Sequence, residues 1–281
     1  MAGGVGARLY PLSTVERPKQ FLDILGTGRT MIQTTYDRLC KLSPDAVFWV
    51  VTSAVYAHFI KEQLPSIPDE RILLEPEPRN TAPCISYASR KIFLRDSDAS
   101  VIVSPSDAYI PDEESFTATM HTALSFISSH RSIVCVGINP DSPSTRYGYI
   151  RAGSPVQGVC EVLEFKEKPD LQTALRYLRD GGYLWNAGIF VWKVSHIESE
   201  LRRHLPQIET VMDEIEPHLY AGSEGECLSR LFPACQKISI DYGLMEKADD
   251  IYVVPADWEW SDLGSFEAIE KVMARNSRGD R

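Results

Sequence analysis

The feature that most constrains this chain is an alternation in its first half. Short apolar runs, at 46–52, 71–75, 100–104 and 132–137, alternate with stretches that show helical spacing of their apolar positions. The first such stretch, from Thr30 to Leu42, places Met31, Ile32, Thr35, Leu39 and Leu42 on one face. Further helices are expected at about 53–63, 80–95 and 113–128. Strands this apolar, interleaved with helices, predict an α/β fold with a doubly wound, mostly parallel mixed sheet covered on both faces. Beyond residue 138 the pattern changes. Strand-like segments at 147–150, 159–166 and 183–192 flank a helix at about 170–180, and 194–232 reads as helical with turn breaks. A strand at 251–254 and a terminal helix from about Ser265 complete an antiparallel and helical elaboration. With no repeat and no low-complexity linker, the 281 residues are expected to form a single domain, 1–281, with halves at 1–138 and 139–281.

Composition narrows the function classes. A hydrophobic fraction of 43% excludes bulk disorder. The net charge of −10 argues against a nucleic-acid surface, which needs a basic patch to displace counterions. It leaves room for a small anionic ligand held by a few placed cations and N–H groups. No run of about 18 apolar residues and no export-type start are present, so no membrane partner and a cytoplasmic location are expected. Six cysteines without a C-x-x-C pair fit reduced thiols.

Five segments carry chemistry. Ala2-Gly-Gly-Val-Gly-Ala-Arg-Leu-Tyr-Pro-Leu12 brings Gly3, Gly4 and Gly6 together with Arg8, and Pro18-Lys19-Gln20 follows. Glycines let the backbone approach an anion, while Arg8 and Lys19 supply point charges for phosphate oxygens. The pattern is neither a P-loop nor the dinucleotide fingerprint, and a plain glycine turn is the bland alternative. Asp107, in Ser104-Pro-Ser-Asp107 at the end of a buried strand, is placed to hold Mg2+ against phosphates, or else is an ordinary turn residue. Glu167 and Lys168 close a strand before Pro169 and can grip a hydroxyl and a phosphate, although a solvated charge run reads the same way. Asn186 and Gly188 interrupt an apolar strand, predicting a bulge or ligand approach with the Asn amide free to donate and accept; a packing motif is the alternative. Asp262, in Trp258-Glu-Trp-Ser-Asp-Leu-Gly264, reads as a simple turn residue or as the second carboxylate that a magnesium site shared with Asp107 would need.

Taken together these segments resemble the sugar-1-phosphate nucleotidyltransferase family over essentially the whole chain. The signature is Gly3 to Ser13 with Pro18-Lys-Gln-Phe21, then Glu167-Lys-Pro169, Leu184-Trp-Asn-Ala-Gly188, Ile240-Asp-Tyr-Gly-Leu-Met-Glu246 and Trp260-Ser-Asp-Leu-Gly264. The Gln after Pro-Lys and the run Glu75-Pro-Glu-Pro-Arg-Asn-Thr-Ala-Pro83 resemble the guanylyl branch that acts on mannose 1-phosphate. The resemblance implies a Rossmann-like nucleotidyltransferase fold, with nucleotide binding in 1–138 and sugar-phosphate binding in 139–281. It implies an enzyme of GDP-mannose biosynthesis that uses GTP and mannose 1-phosphate and releases GDP-mannose and pyrophosphate. Ala2, Gly3, Gly4, Gly6, Arg8 and Lys19 would bind the triphosphate, and Asn80 and Thr81 would lie near the guanine. Asp107 and Asp262 would ligate Mg2+. Gly148, Glu167 and Asn186 would meet the mannose, and Lys168 would hold its phosphate, so that Arg8, Lys19, Asp107, Lys168 and Asp262 form the catalytic set. Another nucleotide with another hexose 1-phosphate, or a non-catalytic sugar-nucleotide-binding subunit, are the competing readings, and a homodimer is left open. The family's strand before the glycine loop is represented here by Met1 and Ala2 alone: either residues of the protein precede these, or the strand is absent and the loop is expected to hang from an unpaired edge.

Overall fold

A computed structural model describes residues 1–4 and 6–278 of the chain. In chain order the helices and strands are α1 (Met31–Cys40), β1 (Val50–Ser53), α2 (Ala57–Gln63), β2 (Ile72–Glu75), α3 (Thr81–Arg95), β3 (Ser100–Val103), α4 (Glu113–Ser129) and β4 (Ile133–Ile138). There follow β5 (Tyr149–Val156), β6 (Val159–Lys166), α5 (Leu171–Asp180), β7 (Tyr183–Lys193), α6 (Val194–His204), α7 (Pro206–Ile215), α8 (Glu224–Leu231), a π turn (Asp241–Met245), β8 (Ile251–Ala256) and α9 (Phe266–Arg278). Among the described residues no helix is long and apolar enough to cross a membrane.

The chain divides into two compact units. The first gathers three separate stretches, Met1–Leu74, Pro105–Thr117 and the chain from Trp258 onward, and the second comprises Glu75–Ser104 and Ala118–Asp257. In the first unit, Phe21, Ile32, Val50, Tyr56 and Ile60 pack with Ala2 into one core, and Leu9, Leu22, Met31, Leu263 and Ile269 into another. Residues far apart in sequence meet here because each short segment has a single apolar face to bury. α1 starts from Thr30, whose capping box with Gln33 satisfies two of the orphan amides at the helix start. The strand expected over 46–52 forms only from Val50. Pairing reaches β1 through β2 and through Ala2, whose N–H donates to Val51 O at 2.8 Å. Val47 lies outside that ladder and is 57% exposed.

The second unit is built on a six-stranded sheet in the order β3-β7-β4-β8-β6-β5. The α/β class and the mixed sheet are as expected, but the parallel majority is not found in this sheet. β4 and β8 pair in parallel, whereas β7 runs antiparallel to β3, β4 and β5, and β6 runs antiparallel to β5 and β8. Hydropathy cannot show strand direction: a central antiparallel strand covered on both faces is as uniformly apolar as a parallel one. β7 is such a strand, with Ile189, Phe190, Val191 and Trp192 all buried. Behind the sheet, Arg90 of α3 is 2% exposed and is surrounded by Glu198 at 2.8 Å, Glu209 at 2.6 Å, Asp213 at 2.9 Å and Glu216 at 2.5 Å, tying α3 to α6 and α7.

Candidate functional site

In the first unit the glycine loop begins from a fixed point. Met1 O accepts from Ser106 N at 3.1 Å, and Ala2 pairs with Val51. Ala2 O also accepts from Gln20 Nε2 at 3.0 Å and from Thr52 Oγ1 at 2.8 Å. The expected unpaired edge is therefore absent at these two residues, because β1 and the segment bearing Asp107 bond to them from either side. Gly3 and Gly4 are exposed, and Val5 lies outside the described residues. Gly6 has φ +64°, and a Cβ there would lie 2.9 Å from Ser13 Oγ and 3.0 Å from Lys19 Cβ. Only glycine allows the loop to pass this close to Lys19.

Lys19 opens a single 3-10 turn behind Pro18 and is 5% exposed. Its Nζ lies 2.9 Å from Asp107 Oδ2 and donates to the backbone carbonyl of Asp262. Two backbone bonds between Tyr109 and Ser261, of 2.9 and 3.1 Å, hold the stretches that carry the two aspartates side by side. Asp262 Oδ1 caps Gly264 N at 3.0 Å, and Leu263 has φ +41°, a costly conformation for a branched side chain. Lys19, Asp107 and Asp262, proposed from three distant motifs, are thus neighbours. Arg8 stands exposed on the turn Ala7–Leu9.

The donor chemistry at this point suits a hard divalent cation. Asp107 and Asp262 offer carboxylate oxygens, and among the described residues no group of three or more His, Cys, Asp or Glu side chains is placed to hold a metal. A magnesium ion needs one or two carboxylates when substrate phosphates and water fill the rest of its shell, so in number and chemical kind two aspartates suffice for a metal that arrives with a nucleotide. The contact of Asp107 with an ammonium shows that the position already favours positive charge.

The second unit brings together Gly148, Glu167, Lys168 and Asn186. Gly148 O accepts from Asn186 N at 2.8 Å, and a Cβ at position 148 would lie 2.6 Å from Glu167 Oε2. Glu167 is 5% exposed; its Oε1 pairs with Lys168 Nζ, and its N–H donates to Glu246 Oε1 at 2.9 Å. Lys168 has φ +46°. Asn186 and Gly188 form the anticipated irregularity, since the pairing of β4 with β7 shifts register between Cys135 and Gly137, opposite these residues. The Asn186 amide, however, is not free. Nδ2 donates to Asp241 Oδ1 at 2.9 Å, and Oδ1 accepts from Gly188 N at 3.0 Å. One N–H and one lone pair of that amide are left for a ligand.

Asn80 and Thr81 start α3. Asn80 has φ +70°, ψ −172°, a glycine-like conformation, and its Oδ1 accepts from Thr81 N. Thr81 Oγ1 accepts from Ile240 N at 2.9 Å, which joins the start of α3 to the start of the π turn. Asp241 opens that turn and Glu246 follows it, and sequence reasoning singled out neither. Both stand in the Ile240–Glu246 motif, and the only signal was a carboxylate on each side of an apolar core segment. Burial first, and then the neighbouring Glu167 charge, push the Asp241 carboxyl up to about 6.

A family model described as nucleotidyl transferase matches residues 1–278. The chain is 38% identical over 293 aligned positions to the mannose-1-phosphate guanylyltransferase of Escherichia coli K12, covering all of this chain and 60% of that protein. It is 37% identical, with the same coverage, to mannose-1-phosphate guanylyltransferase ManC of Salmonella typhimurium. Both curated relatives are therefore longer, and the chain spans about 60% of their length. A solved structure from Thermus thermophilus, described as a mannose-1-phosphate geranyltransferase, superposes with a TM-score of 0.87 at 34% identity, covering 98% of this chain and 78% of that one. The glycine loop, the lysine between two aspartates and the match along nearly the full length agree: the chain belongs to the nucleotidyl transferase family.

Proposed function

We propose that this protein transfers GMP from GTP to mannose 1-phosphate, giving GDP-mannose and pyrophosphate. The observation that carries the reading is Lys19 bridging Asp107 and the Asp262 backbone beneath the glycine loop, in a chain similar throughout to proteins named for that activity. The nucleophile is a phosphate oxygen, anionic at neutral pH, so no general base is required, and the reaction needs two polyanions brought together with charge stabilised where it grows. The amides of Gly3, Gly4 and Gly6 and the Arg8 guanidinium bind the triphosphate. Lys19 offsets charge on the phosphoryl group being transferred. Asp107 and Asp262 hold Mg2+, which on binding supplies Lewis-acid neutralisation of the phosphates. Asn80 and Thr81 contact the guanine. Gly148, Glu167 and Asn186 receive the mannose hydroxyls, and Lys168 its phosphate. The reading places the reaction in the cytoplasm, where GTP is available.

Product analysis tests this. With Mg2+, GTP and mannose 1-phosphate should release pyrophosphate and GDP-mannose, well ahead of UTP with glucose 1-phosphate. Preference for the second pair would change the substrates. Nucleotide binding without pyrophosphate from any pair would make the protein a binding subunit.

A further inference from the structure

We propose that Asp241 is a positioning residue for the sugar phosphate, fixing the Asn186 amide and leaving the Gly148–Glu167–Asn186 cluster rich in acceptors for the ligand's hydroxyls. The inference rests on the sugar-phosphate role proposed above for Asn186 and Glu167.

Three observations carry it. First, the Asn186 amide can be turned either way about its last torsion, and Asp241 and the Gly188 N–H fix it from its two ends. The Asp241 carboxylate only accepts when ionised, so it engages Nδ2 at 2.9 Å, while the Gly188 N–H, a donor, engages Oδ1 at 3.0 Å. Second, Asp241 opens a π turn, a helical irregularity that recurs at functional sites, and the turn is anchored by Thr81 Oγ1 receiving Ile240 N. Third, the charges around Asp241 are unbalanced. Glu167 and Lys168 face it from the end of β6, Asn186 from β7 and Cys135 from β4, while Glu246 closes its own turn. Three carboxylates stand against two ammoniums, Lys168 paired with Glu167 and Lys166 3.5 Å from Glu246, and the hydroxyls of a hexose are further donors of the right kind. Burial and Glu167 raise the Asp241 pKa, which is the mark of a carboxylate short of partners.

The test uses the full chain and the variants Asp241→Ala, Asp241→Asn, Asn186→Ala and the double variant Asp241→Ala/Asn186→Ala. Asp241→Ala should raise KM for mannose 1-phosphate about tenfold or more, the scale of losing a hydrogen bond to a charged group. KM for GTP and kcat should stay within about threefold on that same scale. Asp241→Asn keeps an acceptor oxygen and should recover most of the loss. Because Asp241 acts through Asn186, the double variant should be no worse than the poorer single variant. Losses that multiply, equal rises in both KM values, or no recovery in Asp241→Asn would overturn the inference. Calorimetric titration with mannose 1-phosphate separates it from the activity: the same pattern in Kd supports the positioning role even if no GDP-mannose forms, and undiminished binding by a folded Asp241→Ala refutes it. Should Asp241→Ala fail to fold, Asn186→Ala and the isosteric Asp241→Asn still decide: the first must weaken binding about tenfold and the second by clearly less.

Discussion

Lys19 Nζ lies 2.9 Å from Asp107 Oδ2, and the lysine is 5% exposed while the aspartate side chain is 36% exposed. The cation is sequestered and its partner faces outward, an arrangement in which an incoming phosphate can take over the ammonium without leaving it unpaired. Replacing Lys19 by Met should therefore lower kcat by roughly a hundredfold or more, the loss of about 2.7–4 kcal/mol typical of a preorganised transition-state donor. Single-turnover kinetics with GTP and mannose 1-phosphate measures it, and a near wild-type rate would remove Lys19 from the reaction.

Chelation separates chemistry from folding. Lys19 satisfies Asp107 without a metal, so EDTA should abolish product formation while leaving the thermal unfolding curve unchanged. Asp107→Asn should reproduce the activity loss. A large drop in melting temperature on chelation would point to a structural metal instead.

Gly148 is the most specific steric test. Gly148→Ala places a methyl 2.6 Å from Glu167 Oε2 and 3.3 Å from Asn186 Cβ, so the Glu167 carboxylate must move. KM for mannose 1-phosphate should rise by about tenfold, in line with one misplaced charge-assisted bond, with KM for GTP unaffected. Equal effects on both substrates would show a general distortion.

Arg90 governs stability. Arg90→Met leaves Glu198 and Glu209 buried beside each other without their cation. Removing one partner of a buried ionic network costs about 3–5 kcal/mol, readable as a lower urea midpoint. An unchanged midpoint would mean that the carboxylates take up protons or water at little cost.

The same network sets a pH dependence. Burial, only partly offset by Arg90, pushes the Glu198 carboxyl up to about 7 from an ordinary value of 4.5. A carboxyl raised in the folded state contributes stability that is complete below the unfolded pKa and lost as pH rises through the folded one. Between pH 5 and 8 the wild-type protein should therefore lose stability relative to Glu198→Gln by on the order of 2 kcal/mol. Parallel curves for the two proteins across that window would contradict the assignment.

Much of the fold was legible because short apolar strands and amphipathic helices announce themselves; β6 runs Val159–Lys166 as read, and α4 extends one residue past expectation. Strand direction was not legible. It depends on which neighbour β7 finds, and the buried run from Ile189 to Trp192 is the same in either sense. At the site, Lys19, Asp107 and Asp262 could be picked out because each is a charged residue within two positions of a glycine or proline that marks a turn. Asp241 could not, since its partner Asn186 stands 55 residues away in sequence, and only the folded chain brings the two together. The partial engagement of the Asn186 amide was likewise invisible, because sequence shows which donors a residue owns and not which are already engaged.

The first unit draws on the chain's opening residues, on a middle segment and on the stretch from Trp258 onward. On a ribosome, its glycine loop and Lys19 emerge before the Asp262 carbonyl that receives the lysine, which arrives only after more than two hundred further codons. Vectorial synthesis thus delivers the glycine loop as an open half, and a nascent chain arrested before Trp258 would carry it without the carbonyl that receives its lysine.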